Sequence, residues 1–211
     1  MRASLLRGLL AGLVLVAAPH VQAQDSTEVD LSELAIGEAI PRPDMAVSTA
    51  AGSTSALADA TGAAGLVVIF WSNTCPWGDR YAARIADLAA TYGPAGFGIV
   101  LVNAKGRSGV AADGAEASRA ELAENNLPVP YFLDPDGALT DAFGARNAPH
   151  AFLFGPSRTL LYHGAIDDSP SSADRAERRY LREAMDLSIA GLPVEVQRTQ
   201  AFGCRTRTSA P

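Results

Sequence analysis

Two apolar runs with a helical stretch between them constrain this chain most. Leu66-Val67-Val68-Ile69-Phe70-Trp71 and Gly98-Ile99-Val100-Leu101-Val102-Asn103 are apolar almost throughout. Continuous rather than alternating hydrophobicity marks a strand covered on both faces, as in a parallel sheet. Between the runs, Tyr81, Ile85, Leu88, Ala89 and Tyr92 recur at helical spacing, and Gly93-Pro94 stops the pattern. Strand, helix, strand is a βαβ unit, with a crossover of nearly fixed right hand. The chain is therefore expected to build an α/β fold around these two strands.

Further elements follow in order. Residues 104–114 read as a Gly-containing loop, and Ala115–Asn125 as a helix. Val129–Leu133 is a short strand, Asp134-Pro135-Asp136-Gly137 a turn by composition, and Leu139–Phe143 a short helix. Ala151–Phe154 and Thr159–His163, joined by Gly155-Pro156-Ser157-Arg158, read as an antiparallel hairpin. Ala173–Ala190 is expected to be the last long helix, with Arg175, Arg178, Arg179 and Arg182 on a solvated face. The tail from Val194 has little period. A short strand is expected around Asp44–Val47.

The N-terminus reads as a signal peptide over residues 1–23. Arg2 and Arg7 form the basic region, Leu9–Ala18 the apolar core, and Val21-Gln22-Ala23 the small-residue cleavage site. The expected mature chain is exported, to the periplasm or the extracellular space, with no transmembrane segment after cleavage. Removing Arg2 and Arg7 from 17 basic residues leaves 15 against 23 acidic ones, a net charge of −8. That balance, with no dense basic patch, argues against a nucleic-acid partner. Residues 24–36 read as a flexible tail, 37–191 as the domain, and 192–211 as a C-terminal tail carrying Cys204.

The chemistry centres on Cys75. It ends the first apolar run, is followed by Pro76, and precedes the helical pattern. A thiol at a helix N-terminus meets unpaired N–H groups and the positive end of the dipole, which favour the nucleophilic thiolate. Pro76 suits a first helical turn, and Trp77 is placed to cover one side of the sulfur while the other stays open. Yet Gly78 stands where a Cys-x-x-Cys pair would have its second cysteine. The other thiol is Cys204. Two cysteines in an exported chain fit one disulfide or a redox pair. An oxidised or substrate-bound Cys75 needs a second thiol to release it, and Cys204 is the candidate; a tail cysteine unconnected to Cys75 is the alternative. Ala148-Pro149 opens a strand, either as an ordinary trans bond or as a cis bond whose position leaves the Ala148 backbone free to pair with an incoming peptide.

The succession strand, Phe70-Trp71-x-x-x-Cys75-Pro76, helix, strand, helix, strand, Ala148-Pro149, hairpin, helix resembles the thioredoxin fold. Within it the chain is similar to exported redoxin-domain proteins of the AhpC/TSA and TlpA type. The resemblance covers about Gly37 to Gly191. It rests on Val68–Pro76, Tyr92-Gly93-Pro94-Ala95-Gly96, Phe152-Leu153-Phe154 and Tyr162–Asp168, with a terminal Phe202-Gly203-Cys204. It implies a central mixed sheet with helices on both faces, Cys75 as the attacking thiol, and Pro149 as the cis-proline facing it. Ser72 matches the hydroxyl position of the peroxiredoxin signature, but Val68 replaces that signature's proline.

The expected site is thus Cys75 and Cys204 as catalytic residues, with Ser72, Pro76, Trp77, Ala148 and Pro149 lining it. The leading expectation is a thiol–disulfide oxidoreductase acting on protein or small-molecule thiols and disulfides. The alternatives are a peroxiredoxin-like peroxide reductase and a non-catalytic binding module for a peptide or metal. No cofactor and no metal site is assigned; Cys75 with His150 is the one copper arrangement weighed, and it lacks a second cysteine at Asp79.

Overall fold

A computed structural model describes residues 33–105 and 110–206. The expected signal peptide, and the part of the expected tail before residue 33, lie outside the described residues. Among the described residues the strands and α-helices follow in the order β1 (Val47–Ser48), β2 (Thr54–Ser55), α1 (Leu57–Ala60), β3 (Gly65–Trp71), α2 (Gly78–Tyr92), β4 (Phe97–Asn103), α3 (Ala115–Glu124), β5 (Tyr131–Phe132), α4 (Ala138–Phe143), β6 (Asn147–Ala148), β7 (His150–Phe154), β8 (Leu160–Gly164), α5 (Tyr180–Ile189) and β9 (Cys204–Arg205).

The central sheet has five strands in the order β5-β4-β3-β7-β8. β3 runs parallel to β4, and β4 to β5, while β7 is antiparallel to both β3 and β8. This is the mixed sheet of the thioredoxin fold. Every residue of the central strand β3 is buried, which explains its unbroken apolar run. Its alternation sorts the core. Val67, Ile69 and Trp71 point to the face covered by α2 and α5, with Tyr81, Ile85, Leu88, Leu181 and Met185. Leu66, Val68 and Phe70 point to the face covered by α1 and α4, with Leu57, Leu139 and Phe143. Helices therefore cover both faces, as the resemblance implies.

Several local expectations shift. β5 is two residues long, not five, and the expected strand near Asp44–Val47 is one arm of the small β1–β2 hairpin. Ahead of Gly37, Leu34 is already buried, and its N–H meets the Phe143 carbonyl at 3.4 Å. The expected helix over Ala173–Ala190 is instead a 3₁₀ turn (Ala173–Arg175) followed by α5. The Asp168 carboxylate takes the N–H groups of Glu177 and Arg178, each at 3.1 Å. Glu183 takes the N–H of Arg179 at 2.9 Å. These side-chain acceptors hold 177–179 outside the helix, a local competition familiar for Asp. Of the four arginines, Arg182 alone lies within α5.

Candidate active site

The end of β3 delivers Cys75 through a turn. The Ser72 carbonyl accepts the Cys75 N–H at 3.2 Å, and the Cys75 carbonyl accepts the Gly78 N–H at 2.8 Å. Pro76 lies in this turn, not in the first turn of α2. The Gly78 N–H closes a ring three residues back, so α-helical bonding starts only beyond it. Gly78 itself backs onto the Trp71 indole; a Cβ there would sit 2.9 Å from the ring.

Beneath the turn lies a polar anchorage. Ser72 Oγ donates to Asp113 Oδ1 at 3.3 Å, and Thr74 Oγ1 to Asp113 Oδ2 at 3.1 Å. The Thr74 N–H donates back to Ser72 Oγ at 3.3 Å. Asn73 Nδ2 donates to the Ala112 carbonyl and to Ser118 Oγ, each at 3.0 Å, while the Tyr131 hydroxyl donates to Asn73 Oδ1 at 2.8 Å. Burial pushes the Tyr131 hydroxyl well above its ordinary range, so it remains a donor. The Ser72 hydroxyl therefore holds the loop to Asp113.

Cys75 and Cys204 are joined in a disulfide, with an S–S distance of 2.08 Å and Cα atoms 5.9 Å apart, across 129 residues. This is the pairing that the sequence left open. The cysteine is 3 % exposed. The expectation of a sulfur open on one side gives way to one closed by the chain's own tail. The Ala148–Pro149 bond is cis, and Cys75 Sγ lies 3.2 Å from the Ala148 carbonyl oxygen.

The Ala148 backbone is not free for an incoming peptide. β6 pairs antiparallel with β9, Asn147 opposite Arg205 and Ala148 opposite Cys204. Asn147 Nδ2 donates to the Gly203 carbonyl at 3.1 Å, and the Thr206 N–H to the Arg146 carbonyl at 3.0 Å. A Cβ on Gly203 would sit 2.1 Å from the Ala148 carbonyl oxygen, so only glycine permits this approach. Half-buried Trp77 meets Phe202 edge to face, ring centroids 4.6 Å apart, a contact worth about 1 kcal/mol beyond its area. The Arg80 guanidinium covers the same indole at 5.1 Å.

The copper alternative finds neither ligand disposed for it. Cys75 is bonded to Cys204, and the His150 ring packs on Phe152 at 4.4 Å. No group of three or more potential metal ligands occurs among the described residues. His163, expected on a surface or in the core, is in the core.

Sequence reasoning reached Cys75, Pro76, Trp77, Ala148, Pro149 and Cys204, which meet here, and Ser72, which meets Asp113. It missed Asp113 and the docking role of Phe202 and Gly203. The Gly203-Cys204 pair was the available signal; Asp113 carries none.

No helix among the described residues is long and apolar enough to cross a membrane. A search of curated proteins finds no match. Among solved structures, an uncharacterized conserved protein from Geobacillus kaustophilus is 24% identical, with a TM-score of 0.77 over 84% of this chain and 94% of that one. A hypothetical protein from Sinorhizobium meliloti is 26% identical, with a TM-score of 0.76 over 85% of this chain and 98% of that one. A secreted Mycobacterium tuberculosis disulfide oxidoreductase homologous to E. coli DsbE is 19% identical, with a TM-score of 0.52 over 72% of this chain and 98% of that one. The AhpC/TSA family model matches residues 36–163. With that match over more than half its length, the chain belongs to the AhpC/TSA family.

Proposed function

We propose that this protein is a thiol–disulfide oxidoreductase in which Cys75 attacks and Cys204 resolves. The observation that carries the reading is the Cys75–Cys204 bond, formed where the tail lies along the cis-proline segment. In the reduced form, the Cys75 thiolate attacks a substrate disulfide. One substrate sulfur leaves as thiolate, and a mixed disulfide remains on Cys75. The Cys204 thiolate then attacks the Cys75 sulfur, and the second substrate sulfur leaves. Two electrons pass to substrate, and a thiol donor restores the pair. Ser72 holds the turn, while Pro76, Trp77, Ala148 and Pro149 flank the attacking sulfur. The proposed domain comprises the expected 37–191 together with Leu34 and Val194, which are buried in its two cores, and the tail carrying Cys204 follows. Export is proposed from the N-terminal signal-peptide pattern and agrees with the secreted relative.

Turnover separates this reading from its rivals. The reduced mature protein is expected to reduce insulin disulfides with dithiothreitol as donor, and Cys75→Ser to lose at least about a hundredfold, as expected for a lost nucleophile. Consumption of hydrogen peroxide without insulin reduction would favour the peroxide reductase. Biological activity intact in Cys75→Ser would favour the binding module.

A further inference from the structure

The tail holds to the domain at two places of different character. The first is Gln197–Thr199 on the edge of β8. The His163 N–H donates to the Gln197 carbonyl at 3.0 Å, and the Thr199 N–H to the His163 carbonyl at 3.1 Å. Thr199 Oγ1 accepts the Ala165 N–H at 2.9 Å and lies 2.6 Å from the Tyr162 hydroxyl. The Tyr162 proton goes to the Ala165 carbonyl, so Thr199 donates to Tyr162. Thr199 thus both gives and takes, in a half-buried setting. Gly164, at φ +142°, leaves the room this needs: a Cβ there would lie 2.3 Å from Thr199 Oγ1. None of these contacts involves sulfur.

The second place is Phe202–Thr206, held by the disulfide, by the β6 edge and by Trp77. Four residues, and so five Cα–Cα steps, separate Thr199 from Cys204, a reach of about 17 Å when extended. Breaking the disulfide removes the covalent hold on the second place and leaves the first intact.

We infer that the tail is an anchor and a latch, and that Thr199 and Gly203 are positioning residues for Cys204. The inference rests on the reading of Cys75 as nucleophile and Cys204 as resolver. With the anchor in place, reduced Cys204 stays within reach of Cys75 at an effective concentration of about a millimolar or more. The latch and an extended substrate strand use the same Ala148 edge. The return of the latch therefore brings the resolving thiol in and displaces the substrate strand in one event. Gly203 is what lets the latch close, and Thr199 is what keeps it near.

The test uses the reduced mature protein and the aromatic disulfide dithiobis(nitrobenzoate). Cys75 thiolate attacks it and releases one thionitrobenzoate, leaving an aryl mixed disulfide. Cys204 thiolate then attacks the Cys75 sulfur, and the second thionitrobenzoate leaves. The wild type is expected to release two equivalents in two phases, the second independent of protein concentration. In Gly203→Val and in Thr199→Val the ratio of second-phase to first-phase rate is expected to fall about tenfold or more, with Thr199→Ser restoring it. Titration in denaturant checks that both thiols are intact. An unchanged ratio in Gly203→Val overturns the latch, and an unchanged ratio in Thr199→Val overturns the anchor. If the wild type releases no first equivalent from Cys75, the nucleophile reading falls, and this inference with it.

Discussion

A neutral imidazole carries one N–H donor and one lone pair, and both want partners when buried. His150 and His163 are 3 % and 2 % exposed, their ring centroids lie 5.8 Å apart, and Phe152 packs on both. None of their four ring nitrogens has a hydrogen-bond partner among the described residues. Burial lowers the His150 pKa from 6.5 to about 3, helped by His163 and Arg146. Burial also lowers that of His163, with Glu33 opposing and Arg198 assisting. The sign of the pH effect follows. Between the folded and unfolded pKa values the unfolded chain binds a proton that the folded one does not. For His150 the stabilisation is therefore complete above about 6.5 and is lost as pH falls toward 3. Urea unfolding from pH 7 to pH 4 is expected to show a falling midpoint, with up to about 1.4 kcal/mol lost per pH unit through His150 and a further loss in the same direction through His163. His150→Phe is expected to flatten that slope; an unchanged slope would show that His150 takes up its proton equally in the folded and unfolded chain, contradicting its burial as a neutral ring.

At the scale of elements, one ion pair ties α2 to the segment after β8. Arg84 Nη1 donates to both oxygens of Asp167, at 2.8 and 2.6 Å, and to the Ser169 carbonyl at 2.9 Å. Its side chain is 9% exposed and that of Asp167 is 5%, and the guanidinium lies 4.4 Å over the Tyr81 ring. Burial raises the Asp167 pKa, with the Ser169 N–H and Arg84 acting against it. Arg84→Ala would leave a buried carboxylate without its partner, at a cost of about 3–5 kcal/mol. Arg182 pairs with Asp87 at the surface, and Arg182→Ala is expected to cost under about 1 kcal/mol. Urea midpoints of the two variants check the contrast, and equal losses would contradict it.

Elements also show what the sequence could and could not announce. The β3, β4 and α2 patterns were legible because burial on both strand faces and on one helix face writes itself into side-chain type. The start of α5 was not. Residues 173–179 look helical by composition, and only the fold brings Asp168 within reach of the 177 and 178 amides. In the tail, Phe202-Gly203-Cys204 was the one signal, and the path that brings it back was silent. Much of the tail's attachment at 197–199 and 204–206 is backbone hydrogen bonding, which leaves little mark on side-chain type, and a single threonine hydroxyl at Thr199 is not a pattern that a sequence announces. Cys75 could be read from its neighbours, whereas the Cys75–Cys204 pairing required the path of the chain between them.

For the whole molecule, the topology makes a chain end part of the site. The sheet order puts β7 beside β3, so Pro149 at the head of β7 sits near Cys75 at the foot of β3. β8, at the sheet edge, offers the strip on which the tail runs back toward that junction. A thioredoxin fold with Gly78 in place of a second local cysteine thus meets its partner thiol from 129 residues away. If Cys75 and Cys204 exchange disulfides as a pair, a variant without Cys204 should trap the mixed disulfide on Cys75. Reduced Cys204→Ser protein is mixed with oxidised insulin, quenched by alkylation and mapped by mass spectrometry without reduction. The expected product is an insulin chain disulfide-bonded to Cys75, and in the wild type under the same conditions a Cys75–Cys204 peptide with no lasting insulin adduct. Free Cys75 in Cys204→Ser, or wild-type insulin adducts on Cys204 in place of the internal bond, would contradict it.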